Sequence, residues 1–538
     1  MWIADRGQSS TWSGGIDSFL EIALMRGLRP STPNPLPMKT YPLIFGTLAA
    51  LGTVWTAGAA PLVSGTEIGL DFGNIAPTNN FNAALVNIGS VAAGAVVDVA
   101  SATVVDGVAV SWNGSGGWSN PDSATEAELP GQPAIFNDSN LTDWIGENTA
   151  GTGITITFSG LDDSLTYTLV IGSGFVANAT PVNTRWTVDS QVDDTVHDVG
   201  AEAYVTFTGL GTDGCGNLVI SGDGISPTFP NLSVVSALQL TATTPPAGDI
   251  WQTDGNGTWS SLVNWDPAVP NAAEAIATFD DTLPLNGPVT ATLDVPVTLG
   301  TLSIRSAQDV TIDGASALTF DGLTIADIRA TAGNHEIAAD VALSDPLDIV
   351  LAGGSSLDLS GALSGASAVT AKGSGNLLLS GDLSGFTGGL LAECGFVEIP
   401  TSNVATDLGR MNTKRGGEIS IFGTVTLANN ASFGVGSGIQ GTTGSLTVES
   451  GGELNIGAAG AFTGIGGGDV FAKRTQSGNG TLTIAGGTLN VAAPGTGTSG
   501  AGGLDATNFW LNPYGNGGGV TTINLDGGVL SSARNIAN

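Results

Sequence analysis

Three short stretches near the end of the chain share one pattern of apolar and polar positions. Residues 444–456 read GSLTVESGGELNI, 480–491 read GTLTIAGGTLNV and 521–530 read TTINLDGGVL. In each, apolar side chains alternate with polar ones, the alternation runs into a Gly-Gly pair, and it then resumes. A period of two places Leu446, Val448, Leu454 and Ile456 on one face of a strand-bend-strand unit. Gly451-Gly452, Gly486-Gly487 and Gly527-Gly528 supply the positive φ of a sharp corner. One unit cannot fold alone. Its few apolar side chains contribute roughly 1.5–3 kcal/mol each on burial, whereas ordering each residue costs about 1–2 kcal/mol in backbone entropy. Copies must therefore stack, which predicts a β-solenoid, specifically a right-handed parallel β-helix.

The earlier half alternates too, but without a repeat. ITITF at 154–158, LTYTLVI at 165–171, YVTF at 204–207, LVI at 218–220 and the apolar run 234–240 are strands separated by Gly, Asn and Asp turns at uneven intervals. Strands of this length and spacing predict an antiparallel β-sandwich over 61–243. The phrase FSGLDDSLTYTLVIGSG and the later strand NLSVVSALQLTA resemble jelly-roll sandwich modules of exported bacterial proteins, some of which bind carbohydrate. A Pro-rich linker occupies 244–250, and 251–538 is assigned to the β-helix. The expected fold class is therefore all-β, a jelly-roll-like sandwich followed by a parallel β-helix.

After the linker, DIWQTDGNGTWSSLVNWDPAVPNAAEAIATFD places Trp251, Trp259, Trp265, Pro270 and Phe279 at a spacing that resembles the opening of the β-helical region in autotransporter-associated β-strand repeat proteins. Large aromatics suit a cap over the first rung of a solenoid. The resemblance sharpens at 372–397, KGSGNLLLSGDLSGFTGGLLAECGFV. Here Lys372, Gly373, Gly375, Leu377, Leu379, Ser380, Gly381, Phe386, Thr387, Gly388 and Gly395 match that family's repeat, while Asn376 and Cys394 depart from it. The resemblance covers about 249–538. It implies an exported protein associated with the outer surface of a Gram-negative-type bacterium, and it implies no reaction. Such proteins often end in a membrane barrel or a sorting tail. Here the sequence ends just after a repeat strand, so the C-terminus is expected to be incomplete.

Composition narrows the partners. Lys plus Arg is 14 against 48 Asp plus Glu, and a net charge of −34 would repel nucleic acid and anionic lipid. No cofactor motif stands out. The acidity leaves room for Ca²⁺ at Asp-rich turns, although no D-x-[DN]-x-[DN]-G loop occurs. The two cysteines, Cys215 and Cys394, fall in different expected domains, which excludes a disulfide framework and reads each as a small buried apolar residue. Met38-Lys39, the apolar run from Tyr41 to about Trp55, and Ala57, Ala59 and Ala60 form a secretory signal peptide over 38–60. Residues 1–37 then read as disordered or as lying upstream of the true translation start. No other stretch is long and apolar enough to span a bilayer, so no transmembrane segment is expected in the mature chain.

The candidate ligand site is Trp112, Trp118 and Trp144, in a loop-rich segment with Asn and Asp neighbours, where indoles could stack on sugar rings. The plainer reading has them plugging the sandwich. Asp162-Asp163 and Asp193-Asp194 read as solvated turn acids. In the solenoid, Asp280-Asp281 is the one adjacent acidic pair, and Arg410, Lys414 and Arg415 form a basic cluster, read as a solvated loop with an acidic-sugar grip as the alternative. His335-Glu336 lacks the second histidine of a zinc-protease helix, and His197 has no histidine partner, so no metal site is expected. The G-x-G-x-x-G matches at 436–441 and 495–500 open no helix. The sequence thus points to a non-enzymatic, cell-surface structural or adhesion protein, its partner an extracellular polysaccharide or cell-envelope component. The alternatives are a β-helical polysaccharide lyase or hydrolase, for which an acid-lined groove is the distinguishing feature, and a carbohydrate-binding module protein, for which an exposed tryptophan platform is.

Overall fold

The alternation in ITITFS becomes, in a computed structural model, a strand whose Ile154, Ile156 and Phe158 point inward and whose Thr155, Thr157 and Ser159 are half exposed. The structure describes residues 153–173, 183–196, 204–281 and 287–436 with short gaps. It also describes shorter segments within 62–71, 86–87, 96–98, 108–113, 117–118, 144–147, 443–456, 463–465, 479–492, 508–511 and 520–537. The upstream segment 1–37 and the expected signal peptide 38–60 lie outside the described residues, and everything described belongs to one compact unit, Gly58–Asn538.

The N-terminal part is a sandwich of two largely antiparallel sheets. One runs in the order Tyr204–Leu210, Thr166–Gly172, Ala237–Thr243, Glu67–Asp71, Val86–Asn87; the other Gln191–Val196, Asn183–Val188, Leu218–Gly224, Ile154–Ser159, Ala109–Asn113, Val96–Asp98. Inward residues of both, among them Leu169, Ile171, Leu240, Ile156 and Ile220, form one apolar core. A third small sheet pairs Ser233–Val235, Trp144–Glu147 and Gly117–Trp118. The pair Asp193-Asp194, expected in a turn, lies instead in the strand Gln191–Val196, where Arg185 on the neighbouring strand grips Asp194 through two hydrogen bonds of 2.8 and 2.9 Å.

From Asp249 onward the chain winds as a three-sided parallel β-helix. One face stacks Ile276–Phe279, Thr301–Ile304, Ala326–Ala330, Leu347–Leu351, Val369–Lys372 and Gly389–Glu393. Among the described residues a second stacks 11 strands, from Gly257–Thr258 to Thr521–Asp526, and the third has five short strands, from Val297–Leu299 to Gly385–Phe386. Beyond them the 11-residue strand Val404–Lys414 and the 12-residue strand Thr424–Val435 bend across the corner and serve two faces at once. On the second face one inward column runs in register through Leu357, Leu377, Val397, Ile419, Leu446, Leu482 and Ile523. The three sequence repeats are thus successive rungs, and the first glycine of each pair has φ of 86°, 79° or 71° at the corner. Trp251, Trp259, Trp265 and Phe279 pack ring against ring at 4.6–6.3 Å at the N-terminal end of the stack, as a cap requires. The indoles of Trp259 and Trp265 donate to the carbonyls of Pro270 and Trp259, so burial leaves neither N–H unpaired.

The first face is where the sandwich sits, and we call it the joint face. Arg305 donates to the carbonyls of Pro245 and Pro246, Thr278 to that of Ala247, and Arg329 to that of Asp163. This corrects three expectations. Cys215 and Cys394 are joined in a disulfide with Cα atoms 5.9 Å apart, because packing brings together residues 179 apart in sequence. Lys414 and Arg415 are not a solvated loop: Lys414 pairs with Glu393 at 3.0 Å, and Arg415 with Glu393 at 3.3 Å and Asp213 at 2.6 Å. Asp163 is not a solvated turn acid either. Its carboxylate accepts from the Thr212 hydroxyl and the Gly216 N–H, and burial raises its pKa.

Candidate functional site

On the second face each strand sends alternate side chains outward, so strand register decides which of them meet. One outward column reads Asn334, Ser356, Asn376, Phe396, Glu418. The next, two residues along each strand, reads Thr311, Glu336, Asp358, Leu378, Glu398. Between and around these columns runs an open groove of about 490 Å³, lined by the carboxylates of Asp309, Glu336, Asp358 and Glu398 together with Asn334, Asn376 and Phe396 among others. No Lys or Arg is among its lining residues. We call this the acidic face.

Two of the carboxylates are held by hydroxyls of the next rung. The Ser360 hydroxyl donates to Glu336 at 2.5 Å and the Ser380 hydroxyl to Asp358 at 2.6 Å. Adjacent parallel strands lie ~4.8 Å apart. Glu336 and Asp358 are therefore one rung apart, and Asp358 and Glu398 two rungs, about 9.6 Å at the backbone. Behind the groove His335 points inward, 3% exposed, in the column between Val310 and Leu357. Its Nδ1 accepts from the Val310 N–H and its Nε2 faces the Ala332 carbonyl, and burial lowers its pKa. This is a neutral, fully partnered core imidazole. Further along the solenoid, burial and then the carboxylates of Glu418 and Glu398 raise the pKa of Glu449.

The residues singled out in sequence fall elsewhere. Trp112 is 4% exposed in the sandwich core, which leaves no indole face for a sugar and corrects the expectation for that one residue. Trp118 and Trp144 stand opposite each other in the small sheet, and their side chains lie outside the described residues. Asp280 is 7% exposed and near enough to Arg305 to act on its charge, and Asp281 accepts from the Ala307 N–H. His197 lies outside the described residues. Among the described residues no three His, Cys, Asp or Glu side chains converge as a metal site, and no helix is long and apolar enough to cross a membrane. The acidic face left a faint signal in the sequence: N-H-E at 334–336, S-L-D at 356–358 and F-V-E at 396–398 are polar or aromatic, inward, acid triplets, the first two one rung apart and the last two rungs further on. Without the register, nothing marked them as neighbours.

No family model matches the chain, and no curated protein matches it, so the repeat-family resemblance rests on its motif residues alone. Among solved structures the chain is similar to the catalytic domain of a GH87 α-1,3-glucanase in complex with nigerose, at 10% identity and a TM-score of 0.21, over 74% of this chain and 92% of that one. It is also similar to the Agl-KA catalytic domain, at 11% identity and a TM-score of 0.13, over 72% and 91%. The expectation of a non-enzymatic protein is corrected here. What overturns it in this chain is the acid-lined groove, the feature that distinguishes the enzyme alternative.

Proposed function

We propose that the acidic face binds a polysaccharide along the solenoid axis and hydrolyses it, and that the protein acts outside the cell. The observation that carries this is the open groove with carboxylates repeated on successive rungs beside amides and a half-buried Phe396. Hydrolysis of a glycosidic bond needs one carboxyl to protonate the leaving oxygen and a second to attack the sugar or activate water. At the backbone the column spaces these acids one rung and two rungs apart. Neighbouring Glu336 and Asp358 suit direct attack, for which the carboxyls sit ~5–5.5 Å apart, while Asp358 and Glu398 leave room for a water, which needs about 6.5–9.5 Å. Asn334, Ser356 and Asn376 can hydrogen-bond sugar hydroxyls, and the Phe396 ring can stack on a sugar face. A lyase is the weaker reading, because it calls for a Lys or Arg base and the groove lining supplies none. The stack of rungs gives this site a stiff support, which is the part of a scaffold role the reading retains.

The test is incubation of the purified protein with neutral, amino and uronic polysaccharides, reading new reducing ends and their anomeric form. The wild type is expected to release ends, and Glu336→Gln, Asp358→Asn or Glu398→Gln to lower the rate on the order of 10²–10⁴-fold at the acting pair. Retention of product configuration would assign Glu336 with Asp358, and inversion Asp358 with Glu398. Absence of new ends with every polymer, or full activity in all three variants, would refute the reading.

A further inference from the structure

At the corner between the joint face and the acidic face six successive rungs, from the one that carries Gly333, turn through a residue with positive φ. On successive rungs these are Gly333 (85°), Gly354 (88°), Gly373 (76°), Cys394 (61°), Arg415 (54°) with Gly416 (91°), and Gly436 (70°). Glycine accepts that conformation freely, and cysteine and arginine do so at a cost. The two exceptions sit on adjacent rungs, and they are the two corner residues that hold the sandwich. Cys394 is bonded to Cys215, and Arg415 is paired with Asp213. Both partners belong to one loop, 211–217, which is braced internally: Asp213 accepts from the N–H groups of Cys215 and Asn217, and Gly216 donates to Asp163. The loop seats closely, since a Cβ on Gly214 would lie 2.5 Å from Lys372 Cδ, one rung below Cys394. Backbone strain that persists at two neighbouring positions, both reaching the same loop, marks a purpose-built contact.

We propose that loop 211–217 is a docking element locked onto the solenoid by oxidation of Cys215 and Cys394, so that sandwich and solenoid become one body only in an oxidising compartment. In the locking step a dithiol-oxidising partner, a protein disulfide or oxidised glutathione, exchanges with the two thiols. The Cys215–Cys394 bond forms, the partner's disulfide breaks, and its two sulfurs leave as thiols carrying the protons that the cysteines lost. Once this bond is gone, the close seating of Gly214 on Lys372 remains together with the ion pairs of Arg415 and the hydrogen bond from Arg329, polar links that are partly exposed and weak. Reduction therefore lets the loop lift, and leaves the 244–250 linker as the main tether.

The experiment uses the full chain. Alkylation before denaturation should find no reactive thiol, and a protease should cut the 244–250 linker slowly. Dithiothreitol added to the folded protein, and separately the Cys394→Gly variant, should each raise the cleavage rate at 244–250 at least tenfold with the far-UV spectrum kept. Cys394→Gly decides between lock and ornament, because glycine removes the corner strain along with the bond. If joint integrity in Cys394→Gly equals that of the wild type, if reduction leaves linker cleavage unchanged, or if both thiols are alkylated in the folded exported protein, the proposal falls. Reduction of protein already folded keeps the test valid where a variant fails to fold.

Discussion

Leu377 and Leu378 are adjacent in sequence and opposite in fate, and truncating each in turn tests the register on which the acidic face depends. Leu377 is 0% exposed, stacked between Leu357 and Val397, whereas Leu378 is half exposed beside the groove. Removing a buried leucine to alanine costs ~2–5 kcal/mol, transfer and cavity together, while an outward truncation of this kind stays within about 1 kcal/mol. If the solenoid from Asp249 melts as one unit of roughly 290 residues, its unfolding entropy is about 0.6 kcal/mol/K, so each kcal/mol moves the midpoint by ~1.6 °C. Leu377→Ala should then lower Tm by about 3–8 °C, and Leu378→Ala by less than ~2 °C. Calorimetry on the full chain reads both. A shift of one residue in register would turn Glu336, Asp358 and Glu398 inward and reverse the two effects. A Leu378→Ala loss equal to or larger than that of Leu377→Ala would therefore refute both the register and the groove built on it.

Two further outcomes follow from single positions, beside those already set for the groove carboxylates and the joint. His335 is buried neutral with a lowered pKa, so the unfolded chain binds the extra proton first. Stability should be full above the unfolded value near ~6.5 and fall as pH drops below it, and His335→Gln should flatten that slope in pH-dependent melts. A Cβ on Gly388 would lie 1.9 Å from the Ser367 carbonyl oxygen and 2.7 Å from the Phe386 ring, so Gly388→Ala should cost several kcal/mol and sharply lower the yield of folded protein. A wild-type yield would show that this corner can shift.

Much of the architecture was legible because it is local. Alternation in ITITFS, the Gly-Gly corners and the aromatics after the linker each state their conformation within a few residues. The site was not legible, because what makes it is a relation between rungs. Glu336 and Asp358 are 22 positions apart and Glu398 a further 40, with nothing in the intervening sequence to say that they share a column. Trp112 shows the converse error: a conspicuous residue in a promising context that the core simply absorbed.

By itself, then, the sequence determined that this chain is all-β, that its second half must stack to be stable, and where its corners turn. These follow from side-chain periodicity and from the backbone freedom of glycine, which are properties of short segments. Only the tertiary structure decided which acids face one another, that Lys414 and Arg415 belong to a joint, and that Cys215 meets Cys394 across 179 residues. Those outcomes depend on rung length, register and the seating of one domain on another. Such quantities are set by the packing of the whole, and no local pattern carries them.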